Sequence, residues 1–411
     1  MSIDNKNNQM SADKLFELLF DDGVYTELLP VAETAEALAA CGKILGQNVY
    51  AFAQDDGALC GAMSVAQAEK LSKVYALAIK TGCPVVGFYT KTAAKVSEGN
   101  MLMDSLGGLL ASARRLSGVV PQISVVLGDC VGTTAMLATN ADFVVMTKDA
   151  SLSLAEGCDC KGQGKAAILA EDAQAAVQAV CDLLTYLPAN NLSVSPVAET
   201  AQGEVFDAES ELKLYTAKEN GAEVSFARLA GKAVGVIRTK GGEIDSKAAK
   251  KIASFVRFCD AFSVPLVTFV DAQNFCCLGS ANTVLSAYAE ATTVKISVVN
   301  GNATGAVYMA LAGKAGRTDV TIGMDGAVIS PIKAQAAAYL ALGDKLTGTV
   351  SEQDQAIAQY IATELSAHSA AKAGFVDDVA DMSTLRIKLV NYLDVLAGKR
   401  ESSLPKKHST I

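Results

Sequence analysis

Ile123-Ser124-Val125-Val126-Leu127-Gly128-Asp129-Cys130-Val131-Gly132 recurs 173 positions later as Ile296-Ser297-Val298-Val299-Asn300-Gly301-Asn302-Ala303-Thr304-Gly305. Each copy is a β-branched run, a loop with glycines four apart and an Ala/Met-rich segment, which reads as strand, tight turn and helix. Such a turn presents backbone N–H groups, and unpaired amides of this kind favour negative charge, including an oxyanion that develops during acyl chemistry. Two copies predict two such sites.

Outward from the two loops the repeat continues. Ser64 to Thr90 aligns without a gap on Asp245 to Asp271 at an offset of 181. In both, a helix with spaced apolar positions (Leu71, Val74, Leu77, Ala78; Ile252, Phe255, Phe258, Cys259) leads through a turn to a proline, Pro84 or Pro265. An apolar run follows each, Val85-Val86-Gly87-Phe88 and Leu266-Val267-Thr268-Phe269, as expected of strands buried on both faces. Beyond the glycine loops come Ala141 to Met146 and Thr318 to Ile322, two more apolar strands. The alternation of strands and helices in both halves predicts an α/β protein with two similar domains, residues 1–190 and 215–411. The polar stretch from 191 to 214, with Asn190, Asn191, Ser193, Ser195 and Pro196 at its start, reads as an exposed linker. Leu385, Leu389, Tyr392, Leu393 and Leu396 have helical spacing, and the basic tail from Lys399 reads as a solvated end.

The 411 residues are half hydrophobic and 19% charged, with a formal net charge of -9, so the chain is globular and a poor match for nucleic acid. No apolar run approaches the ~20 residues of a membrane span. The ten cysteines are scattered and read as reduced, buried thiols of a cytoplasmic protein. With two histidines, His368 and His408, and no zinc-like cysteine spacing, neither a metal site nor a histidine base is expected. Backbone donors become the default catalytic groups.

Glu17-Leu18-Leu19-Phe20-Asp21-Asp22-Gly23, Ala66 to Leu71, Pro121 to Val125, Arg257-Phe258-Cys259-Asp260-Ala261-Phe262, Tyr288 to Thr292 and the tail Lys399-Arg400-Glu401-Ser402 with Pro405 to His408 carry a family resemblance. The chain resembles the carboxyltransferase β subunits of biotin-dependent acyl-CoA carboxylases, a group that includes propionyl-CoA carboxylase and the glutaconyl-CoA and methylmalonyl-CoA decarboxylase subunits. The resemblance implies duplicated crotonase-like (ClpP/crotonase) ββα-superhelix domains and a homodimer or trimer of dimers. It places the active site between the first domain of one subunit and the second domain of its partner. It implies carboxyl transfer between N-carboxybiotin, on a separate biotin carboxyl carrier protein, and the α-carbon of an acyl-CoA. Biotin carboxylase, or a decarboxylase membrane subunit, would complete the complex. One glycine loop would hold the thioester oxygen and the other the ureido oxygen, which explains why the motif occurs twice.

By position, the resemblance assigns the first hole to the amides of Gly132 and Thr133, and the second to Ala306 and Val307 with Gly305 allowing close approach. Gly61, Lys91, Ala94, Lys95, Asp271, Phe275 and Met309 fall at substrate-binding positions. The loops depart from the family. Tyr89-Thr90-Lys91-Thr92-Ala93-Ala94-Lys95 stands for Asp-Ser-Gly-Gly-Ala-Arg, and Asp129 brings an anion to the mouth of the first hole. Glu156 to Gly162 replaces His-Asn-Ser-Thr-Ser-Gly. Two readings follow: a working carboxyltransferase whose amides survive side-chain change, or a paralogue that keeps the fold as a structural or regulatory subunit. A crotonase-type hydratase would need a carboxylate pair, with Asp129 and Asp271 as candidates. Asp271 is equally a strand-end cap, Lys91 and Lys95 are either CoA-phosphate contacts or solvated loop residues, and Cys276-Cys277 read as inert buried thiols or a reactive pair.

Overall fold

A two-residue turn with both φ angles positive closes the first long hairpin in each half of the molecule, seen here in a computed structural model. The structure describes residues 10–29, 37–54, 62–90, 93–155, 165–216 and 221–401. The chain forms two compact units, Met1–Pro196 with Leu214–Lys218, and Val197–Lys213 with Glu219–Ile411.

In the first unit, strands β1 (Tyr25–Glu27), β2 (Ala37–Ile44), β3 (Gln47–Gln54), β4 (Val85–Tyr89), β5 (Gln122–Val126), β6 (Phe143–Thr147) and β7 (Ile168–Ala170) lie side by side in chain order. The first three are antiparallel and the rest parallel. Helices α1 (Val65–Thr81), α2 (Asn100–Leu116), α3 (Thr133–Thr139) and α4 (Ala173–Tyr186) make the crossovers and the final cover. The second unit repeats the scheme with β8 (Ala222–Leu229), β9 (Lys232–Thr239), β10 (Leu266–Ala272), β11 (Lys295–Thr304), β12 (Val320–Met324) and β13 (Asp378–Ala380). Its helices include α5 (Ser246–Ala261), α6 (Leu278–Glu290), α7 (Ala306–Leu311) and α8 (Met382–Leu396). Every residue of β4, β5, β6 and β12 is buried, so the apolar runs read in the sequence are strands covered on both faces.

The two hairpins show how closely the halves repeat. Leu45-Gly46 joins β2 to β3 with φ of 51° and 78°, and Ala230-Gly231 joins β8 to β9 with φ of 52° and 78°. Turns of this hand match the strand twist but strain a residue with a Cβ at the first position. A carboxylate holds each one. Asp21 accepts from the amides of Leu45 and Gly46, both at 2.8 Å, and Asp207 from those of Ala230 (3.1 Å) and Gly231 (2.7 Å).

Asp207 also corrects the exposed-linker reading. It is 4% exposed, accepts from Thr200 Oγ1 and takes Arg386 Nη2 of α8 at 2.5 Å. The segment Val197–Lys213 therefore belongs to the second unit's own packing. The basic tail is corrected in the same way at its start: Lys399 Nζ reaches Asp319 (2.9 Å), Glu401 (3.0 Å) and the carbonyl of Thr293 (3.0 Å), so it is tied down.

Reciprocal backbone clamps fix the parallel strands. The amide of Asp142 donates to the carbonyl of Gln122 while the Asp142 carboxylate accepts from the amide of Gln122, each at 2.9 Å. Asp319 and Lys295 repeat this at 2.9 and 2.8 Å. Lys295 is buried, and its ammonium donates to the carbonyls of Tyr288 and Ala291, each at 2.6 Å, at the end of α6, and to Gly316 at 3.3 Å. Three donors meet three carbonyls, which is how a buried ammonium is tolerated.

Candidate functional site

The strands β5 and β11 deliver the two glycine loops to equivalent places. After β5, Asp129–Val131 pairs in parallel with Ser151–Ser153, and Gly132 then donates its N–H to the carbonyl of Ser153 at 2.9 Å. In the second unit Asn302–Thr304, the end of β11, pairs in parallel with Val328–Ser330, and Gly305 donates to the carbonyl of Ser330 at 2.8 Å. Gly132 has φ 70°, ψ -136° and Gly305 φ 47°, ψ -113°, a region that only glycine occupies without strain. At Gly305 a Cβ would also lie 2.8 Å from the carbonyl oxygen of Pro331. The glycines therefore turn the chain from a paired strand directly into a helix.

That turn changes which amides are available. The N–H groups of Gly132 and Gly305 are used in the strand pairing, so neither can serve an oxyanion, which corrects the assignment of Gly132 as a donor. The next two amides in each loop belong to the first turn of a helix and have no intrahelical acceptor: Thr133 and Thr134 at α3, Ala306 and Val307 at α7. Neither helix start carries a side-chain cap. The twin helices α1 and α5 do, Ser64 accepting from Gln67 N at 3.1 Å and Asp245 from Ala248 N at 2.6 Å, whereas α2 and α6 also start without one. A cap stabilises by about 1 kcal/mol, a local gain that both loops forgo.

A short parallel pair, Ala62–Met63 with Ala93–Ala94, recurs as Glu243–Ile244 with Asn274–Phe275, so Ala94 and Phe275 are equivalent positions 181 apart. Ala94 is exposed and Phe275 buried, with α7 packed against the Asn274–Phe275 strand. Lys95 is ion-paired with Glu98 at 3.0 Å, and Glu98 in turn caps α1 by accepting from Val65 N at 2.6 Å. That pairing, from the largest cause, the Val65 amide, to the Lys95 ammonium, holds the Glu98 carboxyl below its usual range. Met309 is exposed on α7. Gly61, Lys91 and the Glu156–Gly162 replacement lie outside the described residues.

Asp271 sits where β10 shifts register against β11. Its carboxylate accepts from Asn302 N of β11 at 2.9 Å, and its amide donates to Thr239 Oγ1 of β9, on the other side of β10, at 2.7 Å. A Cβ at Gly301 would approach that carboxylate to 2.3 Å, so this glycine is required for the contact. Asp271 thus braces the second loop. Asp129 is likewise engaged, accepting from Ser151 Oγ at 2.6 Å across the short parallel pair. The sequence offered no signal for these braces, because each depends on which strand becomes the neighbour. It also misplaced Cys276 and Cys277, which are exposed and not buried.

The carboxyl transferase domain family matches residues 17–161 and 211–411. The chain belongs to that family. A propionyl-CoA carboxylase beta chain from Saccharopolyspora erythraea is 29% identical to this carboxyl transferase, over 98% of this chain and 90% of the relative. A methylmalonyl-CoA decarboxylase subunit alpha from Veillonella parvula is also 29% identical, over 98% and 93%. A crystal structure of transcarboxylase 12S, described as a hexamer with methylmalonyl-coenzyme A and methylmalonic acid bound, superposes with a TM-score of 0.89 at 25% identity, over 98% and 92% of the two chains. The two α/β units are therefore the duplicated crotonase-like domains of the carboxyl transferases.

Proposed function

We propose that this carboxyl transferase moves a carboxyl group between carboxybiotin on a carrier protein and the α-carbon of an acyl-CoA. The observation that carries the reading is the pair of glycine turns, Gly132 and Gly305, each spending its own N–H on a strand and placing the next two amides in a first helical turn, where they have no intrahelical acceptor and no side-chain cap. Carboxybiotin supplies the carboxyl group. One pair of amides, Thr133 with Thr134 or Ala306 with Val307, holds the thioester oxygen of the acyl-CoA as negative charge builds on it. The other pair holds the ureido oxygen. An amide is the same donor whatever side chain follows it, so the substitutions at the loop lips leave the donors in place. The acyl-CoA is gripped from Ala94, Lys95 and the neighbouring Lys91 and Gly61 in the first domain, with Phe275, Met309 and the braced Asp271 shaping the second loop. Like the hexameric transcarboxylase 12S, the chain acts as an assembled core served by biotin-bearing partners.

The test is carboxyl release from methylmalonyl-CoA or malonyl-CoA in the presence of free biotin, run beside Thr133→Pro and Ala306→Pro. Proline is well tolerated at the first position of a helix, so each change deletes one donor and spares the helix. The expected loss is about 10²–10³-fold in kcat for each, with the assembly intact. Turnover of the unsubstituted chain no higher than that of the variants would select the alternative reading, a structural or regulatory subunit without catalysis.

A further inference from the structure

Cys276 and Cys277 are exposed neighbours, an uncommon state for a residue type that is among the most buried. They stand between two helix starts. Cys277 is the residue before α6, and Ser246, the first residue of α5, comes from the opposite side. Cys276 Sγ lies 3.3 Å from both Ser246 Oγ and Ser280 Oγ; Cys277 Sγ is 3.3 Å from Ser280 Oγ and 3.8 Å from Cys276 Sγ. The two hydroxyl oxygens are themselves 3.1 Å apart. Phe275 is buried immediately before the pair, which fixes the backbone from which both sulfurs project.

From this cluster of two sulfurs and two hydroxyls we propose that Cys277 is a modification site that undergoes thiol–disulfide exchange with low-molecular-weight disulfides. The Cys277 thiolate attacks one sulfur of the disulfide RSSR; a new S–S bond forms between Cys277 Sγ and that sulfur as the S–S bond of RSSR breaks, and the other half leaves as RS⁻ and takes a proton from water. One thiol of the protein is oxidised and half of the disulfide is reduced to RSH. The mixed disulfide is the end product, because consecutive Cα atoms are about 3.8 Å apart, short of the separation that an unstrained disulfide spans. Donation from Ser280, by its hydroxyl and its amide, then from Ser246 and Cys276, lowers the Cys277 thiol to about 7. Burial has the opposite effect on three cysteines elsewhere, raising Cys41, raising Cys181 to about 11 and raising Cys259 well above its ordinary value.

The full-length protein is incubated with oxidised glutathione at pH 7, quenched at intervals, and mapped by peptide mass spectrometry. The glutathione adduct is expected on Cys277 at a rate about tenfold or more above that of Cys41 or Cys181. It should persist in Cys276→Ser, vanish in Cys277→Ser, and form several-fold more slowly in Ser280→Ala with partial recovery in Ser280→Thr. An adduct on Cys276 in its place, a Cys277 rate no higher than that of Cys41, or a Ser280→Ala rate equal to that of the parent would overturn the proposal. The readout is chemical and independent of carboxyl transfer.

Discussion

Asp207 gathers more donors than any sequence pattern around it suggests. Burial opposes its ionisation, yet Thr200, Arg386 and the amides of Gly231 and Ala230 together hold its pKa below the usual carboxylate value. Its ionised form therefore adds stability that is present above about pH 4 and is lost as pH falls through the depressed folded value. Asp207→Ala leaves a half-buried guanidinium and two turn amides without their acceptor, and is expected to cost about 3 kcal/mol in urea unfolding at pH 7. The cost should begin to shrink as pH falls below about 4, where the unfolded chain takes up its proton first, and shrink further as pH passes through the lowered folded value; a cost that stays constant throughout acidification would show that the charge is not what matters. At the twin turn, Leu45 is exposed and held at positive φ. Asparagine suits that position, so Leu45→Asn should raise stability by about 0.5–1 kcal/mol, measured by thermal unfolding.

At the scale of elements, Lys295 supports both the end of α6 and the entry to β11, the strand that carries the second glycine loop. Lys295→Met keeps the packing but strands three buried carbonyls, and is expected to destabilise by about 3 kcal/mol and to make the far end of α6 exchange its amide hydrogens faster than α5. Gly132→Ala and Gly305→Ala force a Cβ into a glycine-only conformation, an expected cost of about 1–3 kcal/mol each, with the larger cost at Gly305 because Pro331 crowds it. Much of this level was legible beforehand. The runs Val85–Phe88, Leu266–Phe269 and the two ISVV segments are strands, Leu385, Leu389 and Leu393 do face the core from α8, and the proline-to-strand spacing held in both halves. What stayed hidden was every interaction between residues far apart in the chain. The resemblance assigned Gly132 as a donor by position; the parallel pairing with Ser151–Ser153, a contact between residues far apart in the chain, consumes that amide. Cys276-Cys277 looked buried because cysteines usually are, and only the placement of Phe275 and Ser280 sets them outside.

For the molecule as a whole, the duplication is more faithful in backbone than in sequence. Hairpin turn, helix cap, short parallel pair, strand clamp and glycine turn recur in the same order, while the side chains at the loop lips differ: Thr133 against Ala306, Asp129 against Asn302. The polar stretch after Pro196 misled a composition-based boundary, since its Asn, Ser and Pro content gives no sign that Phe206 and Asp207 are buried. Expressed alone, a fragment of residues 197–411 is expected to unfold in one cooperative transition. A fragment of residues 215–411, which lacks Asp207, should have a lower midpoint or fail to stay soluble, and equal midpoints for the two would contradict the role given to this segment.

The position of the turn-gripping carboxylates along the chain has a consequence for synthesis. Asp21 precedes its turn by 24 residues at Leu45, and Asp207 precedes its turn by 23 at Ala230. Each acceptor has thus left the ribosome before the turn it secures, and the first hairpin of each domain can close with nothing from downstream. Growth of the parallel sheet then proceeds by adding strands to a preformed edge, in the order in which translation supplies them.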